Sequence, residues 1–221
     1  MKSTIILQNE VVALAPASES AARYCALGAV AGPILGTLMS VILGLMRSGY
    51  SSINQTVSEL GVGPNGWLMD IAFAFEGILT AAGVIAVFHL LKNHMGIKTR
   101  LACILLLIIS PLGLVWLGIF TVRRFALHLM GAQAAFDVPI VSFLIAGFIL
   151  RRVPGWRRFG MWMMAGSPLT LALLIGFLSS IPTSQLATGG AYLGIWQRTL
   201  AIEILGWYAA LGWLASRRKW T

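Results

Sequence analysis

SELGVGPNGWLMDIAFAFEG, residues Ser58–Gly77, starts as a polar, glycine-rich loop and runs without interruption into an apolar segment. Two carboxylates, Asp70 and Glu76, lie in that segment where hydrocarbon is expected. A charge inside a membrane helix costs at least about 2.5 kcal/mol on insertion scales. The folded protein must offset that cost, so the stretch announces a membrane architecture and a candidate site together.

The rest of the chain agrees with the architecture. Its 221 residues are 58% hydrophobic and only 10% charged, with a mean hydropathy of +0.85. Soluble domains carry about 25% charged residues. The deficit and the repeated apolar runs define a helical membrane protein with no sizeable soluble domain. The net charge of +9 would suggest nucleic acid in a soluble protein. Here lysine and arginine cluster in short loops, as cytoplasmic retention requires, and no nucleic-acid partner is expected. Cys25 and Cys103 both fall in apolar segments, which argues against a disulfide framework. Residues 1–22 lack the basic start and continuous apolar core of a signal peptide and read as a cytoplasmic arm.

Residues 23–221 read as an all-α membrane domain of six transmembrane helices in one bundle. The spans are expected at about 24–46, 67–91, 101–121, 125–150, 159–181 and 195–215, each long enough for about 30 Å of hydrocarbon. Orientation follows from the sixteen basic residues. Arg47, Arg123, Arg124 and Arg198 fall on one side and the other twelve on the opposite side, so both termini are expected in the cytoplasm. The outer face then receives the long loop 47–66, the Arg123–Arg124 turn and the loop 182–194. Trp67, Trp156, Trp162, Trp196, Trp207 and Trp220 read as an aromatic belt.

Paired, the spans show a pattern. Pro33, Pro111 and Pro168 lie mid-way along the first helix of each pair, where a proline frees a carbonyl and kinks the helix. Glu76, Asp137 and Glu203 lie at comparable depth in the second, and form a predicted buried acidic layer. Intramembrane ionisable groups face a bundle interior or wet cavity, or pair with one another, which makes these acids site candidates. Asp70 and Glu76, six residues apart, are about 120° apart around their helix and cannot share one narrow cavity. Pro139 should loosen the fourth span near Asp137.

A second group gathers at the outer face: Glu59, Asn65, Asp70, His128 and Arg198, the expected ligand-binding set. Arg198 is expected to pair with Glu59 or Asp70, or else to anchor in the headgroup region. Ser58, His128 and an acid could be drawn as a triad, although nothing in their spacing demands it. No metal or cofactor is expected, since the sequence has no HxxxH, HExxH or cysteine pair, no Walker loop and no GxSxG. Gly28, Gly32 and Gly36, with Gly113 and Gly118, indicate close helix packing.

TVSELG (Thr56–Gly61), GPNGW (Gly63–Trp67), EGILTAAG (Glu76–Gly83), GIF (Gly118–Phe120), HLMGA (His128–Ala132) and GIWQR (Gly194–Arg198) carry a resemblance. From about Tyr24 onward the chain resembles the six-helix bacterial and archaeal membrane family catalogued as domain of unknown function 998. The resemblance implies an integral membrane protein without an assigned activity. Its polar motif positions correspond to Ser58, Glu59, Asn65, His128 and Arg198.

Three functions follow as expectations. One is binding or transport of a lipid or small amphiphile through an outward-facing site lined by acids. The second is a non-catalytic accessory subunit, with a membrane-protein partner or a second copy. The third is an intramembrane lipid-modifying enzyme with His128 as general base and Glu59 as its orienter. Membrane lipids are the expected partners throughout.

Overall fold

A computed structural model describes residues 19–181 and 191–218. Past a helical lead-in at residues 19–26, the longer helices of these residues are α1 (Gly28–Met46), α2 (Gly66–Leu90), α3 (Ile97–Ile119), α4 (Phe125–Phe136), α5 (Val138–Leu150), α6 (Arg157–Ser179) and α7 (Leu193–Arg217). They make six helical stretches long and apolar enough to cross a membrane, because α4 and α5 continue one another through Val122–Leu150. The first stretch begins at Glu19, ahead of the expected start near Tyr24, so Glu19–Ala22 is helical. The rest of the expected arm, and the greater part of the 182–194 loop, fall outside the described residues.

The expected loosening near Pro139 is a one-residue interruption at Asp137, whose own backbone stays in the helical region (φ −87°, ψ −42°). A proline has no N–H and displaces the carbonyl four residues earlier. For Pro139 that carbonyl belongs to Ala135, and the Ser110 hydroxyl of α3 donates to it at 2.8 Å. Pro111 likewise frees the Leu107 carbonyl, which accepts from the Tyr208 hydroxyl of α7 at 2.9 Å. In hydrocarbon an unpaired carbonyl costs several kcal/mol, so each kink is tolerated because another helix supplies its donor. Two of the interior prolines thus fix how α3 sits against α4 and α7.

Helix α2 is the central element. In its most apolar window 61% of residues are buried, against 28–39% for the other five stretches. It packs between α1 and α3 and also touches α7. Small residues allow the approach: Gly83 lies against the Ala29 backbone of α1, and Gly77 against Pro111 of α3. Of the glycines singled out from the sequence, Gly28 and Gly32 of α1 lie against the Leu79 and Glu76 backbone of α2, and Gly118 of α3 lies against Asp70. The lipid-type surface is left outside, with Ile34, Leu38, Leu105 and Ile175 all exposed.

Trp156 departs from the expected aromatic belt. It is buried, with its ring set edge-on to Phe159 at 5.7 Å. Trp220 lies outside the described residues.

Candidate functional site

The 47–65 connection folds over the end of the helices as a compact lid. Within it, Thr56 and Glu59 form a reciprocal capping box at the start of a short 3-10 turn, Val57–Gly61. Glu59 Oε1 accepts from the Thr56 amide at 2.9 Å, and Oε2 accepts from Gln55 Nε2 at 2.9 Å. The chain then doubles back through GVGPNG. Gly63 and Asn65 both adopt positive φ (94° and 63°), the region open to glycine and tolerated by asparagine. The return brings Gly66, the first residue of α2, onto the Gly61 backbone, where a Cβ would collide.

Helix α7 holds the lid down. Arg198 Nη1 donates to the carbonyls of Ser52 at 2.8 Å, Gln55 at 2.9 Å and Gly194 at 3.1 Å. Its Nη2 donates to the Tyr50 hydroxyl. Beside it, the Val57 amide donates to Gln197 Oε1 at 2.7 Å. From α4, His128 Nε2 meets Ser58 Oγ at 3.1 Å while Nδ1 meets the Phe120 carbonyl at 2.9 Å. Burial pushes the Tyr50 hydroxyl above its usual range, although Arg198 opposes the shift.

Below the lid is a cavity of about 150 Å³. Ser58, Gln197 and Arg198 line its lid end, Met69, Phe73 and Leu205 contribute to its apolar wall, and Glu76 lines it as well. Glu76 is 3% exposed, and its Oε1 has no hydrogen-bond partner. Gly36 of α1 is flush against the carboxylate, and a Cβ there would occupy the carboxylate's place. The glycine clears the room that the acid needs. An apolar cavity of this volume is large enough to hold a molecule the size of benzene.

Several expected roles change. Glu59 is used by its own turn, so it neither orients His128 nor pairs with Arg198. The carbonyl of Phe120 takes the orienting place, because the end of α3 brings it beside α4. Arg198 is saturated by backbone carbonyls and Tyr50 instead of meeting Glu59 or Asp70. Asp70 lies near Gly61, with Arg123 as the cation whose charge reaches it, and Asn65 shapes the start of α2. Neither lines the cavity.

The acids of the expected buried layer also separate. Of the three, only Glu76 lines the cavity. Glu203 accepts from Thr170 Oγ1 at 2.8 Å and from Trp207 Nε1 at 2.6 Å, between α6 and α7. Asp137 stands at the α4–α5 interruption. Equal depth along separate helices did not bring them to a common point. Gln197 and Tyr50 were not singled out from the sequence. Gln197 stands inside GIWQR, next to Arg198, and that adjacency was the available signal.

A family model described as "Protein of unknown function (DUF998)" matches residues 30–214, which span all six helical stretches. No curated protein and no solved structure matches the chain.

Proposed function

The chain belongs to the family of unknown function DUF998, and from its own geometry we propose that it binds a small amphiphile or lipid segment in the cavity beneath the 47–65 lid. The observation that carries this reading is the unpartnered Oε1 of Glu76 in the wall of an otherwise largely apolar cavity. A buried polar group without a partner costs free energy, and a ligand donor in the cavity would satisfy it. The ligand class is therefore a short apolar body with a hydrogen-bond donor that meets Glu76. The lid faces outward in this reading and both termini are cytoplasmic, supported by twelve of sixteen basic residues at the opposite end. Arg198 serves by fastening the lid over the ligand.

The test uses the protein in lipid nanodiscs with a graded series of alkanols and alkylamines. A ligand at 100 times its Kd stabilises the folded state by about 2.7 kcal/mol. One or more members of the series should raise the melting temperature, and Ala201→Phe should abolish the rise by placing a ring in the cavity. No stabilisation across the series, or an unchanged rise in Ala201→Phe, would defeat the reading.

A further inference from the structure

Ser58 lines the cavity, and His128 meets its hydroxyl from a different helix. The ring's other nitrogen decides what that contact means. Nδ1 faces the Phe120 carbonyl at 2.9 Å, and a carbonyl only accepts. Nδ1 therefore carries the proton, and Nε2 presents a lone pair to Ser58 Oγ at 3.1 Å. The serine hydroxyl donates to the imidazole, which is the polarity that activates a serine nucleophile. The orienting group is a backbone carbonyl where serine hydrolases place a carboxylate. It fixes the tautomer and the ring plane without adding a charge near the hydrocarbon.

A third group completes the arrangement. Gln197 is buried, lines the same cavity, and accepts from the amide of Val57, the residue next to Ser58, through Oε1. With Oε1 engaged, Nε2 is the amide atom left to donate. A donor lining the cavity that the nucleophile also lines can stabilise the oxyanion that forms when a carbonyl is attacked.

We propose that Ser58 is an acyl-transfer nucleophile, with His128 as general base and Gln197 as oxyanion donor, acting on an ester or thioester whose acyl chain occupies the cavity. The inference rests on the binding reading above, so the acyl chain in the cavity carries a hydroxyl or amine that donates to Glu76. Ser58 Oγ forms a bond to the acyl carbon, and its proton passes to His128 Nε2. The bond from the acyl carbon to the leaving oxygen or sulfur then breaks, and His128 returns the proton to that leaving group. Water then gives a proton to the same imidazole as its oxygen bonds the acyl carbon, the acyl carbon–Oγ bond breaks, and His128 returns the proton to Ser58 Oγ. The products are a carboxylic acid and the restored serine.

A fluorophosphonate with a short alkyl tail tests the proposal on the protein in nanodiscs, since an activated serine forms an Oγ–P bond and expels fluoride. In the unmodified protein, mass spectrometry should find the phosphonate on Ser58. Ser58→Ala should abolish the label. His128→Gln retains a hydrogen-bonding side chain and should slow labelling by roughly 10²–10⁴-fold, the usual contribution of a general base. The labelling rate should also rise with pH in the unmodified protein and stay flat in His128→Gln. An unlabelled Ser58 in the unmodified protein, or equal labelling in His128→Gln, overturns the proposal. Alkanol or alkylamine stabilisation that persists in an unlabelled protein defeats the nucleophile alone. Loss of both defeats the binding reading as well.

Discussion

Replacing Glu76 by methionine should make the protein more stable. The carboxyl is 3% exposed, with an unpartnered Oε1, and among the described residues no salt bridge reaches it. A polar group buried without a partner costs about 1–3 kcal/mol in protein mutational data. Methionine has an unbranched, adaptable chain of similar length, so it can follow the same path past Gly36 without the polar penalty. The expected gain is thus about 1–3 kcal/mol, or roughly 2–12 °C in Tm at the scaling for chains of this size. Thermal unfolding followed by tryptophan fluorescence would measure it, with eight tryptophans as reporters. The same variant should lose stabilisation by alkanols and alkylamines, which exchanges ligand recognition for stability. A lower Tm in Glu76→Met would refute the reasoning, because it would mean that the carboxyl has a partner in the resting protein.

The lid gives two further predictions. Arg198→Ala removes three bonds to carbonyls and one to Tyr50. A loss of about 2–3 kcal/mol of local stability corresponds to roughly 30–140-fold faster hydrogen exchange at the Val57 amide. Arg198→Lys should recover little of this, since an ammonium lacks the planar fork that spans several acceptors; unchanged exchange in either variant would contradict the clamp. The second concerns pH. Burial raises the Tyr50 hydroxyl above its ordinary 10.0, so its contribution is complete below pH 10 and is lost as pH rises through the higher folded value. Melting temperature should therefore fall above pH 10 by a component that is absent in Tyr50→Phe, and identical pH curves would show that Tyr50 does not contribute.

The six spans were legible because hydrocarbon thickness imposes length and apolarity on each segment independently. Pro139 was legible as a weak point, since a missing N–H acts locally. Its consequence was not: the Ser110 donor that satisfies Ala135 lies on another helix, and no spacing encodes that meeting. The acids show the same limit. Their depths could be counted from span ends, but sharing a cavity depends on helix rotation and order, which separated Glu203 toward Thr170 and left Glu76 alone. Glu59 misled because an acid three residues after Thr56 is also a capping-box signature, and that local use prevailed over the long-range one. Ser58 and His128 were identifiable as chemistry-bearing residues, while the tautomer-fixing carbonyl of Phe120 carries no side-chain signal.

The most direct measurement is a map of photolabelling by an alkanol bearing a diazirine on its chain, read residue by residue by mass spectrometry in nanodiscs. The cavity reading predicts adducts on Met69, Phe73, Leu114 and Leu205, which line the cavity, and their loss in Ala201→Phe. Adducts confined to lipid-facing residues such as Ile34, Leu105 and Ile175, with the same pattern in Ala201→Phe, would contradict it.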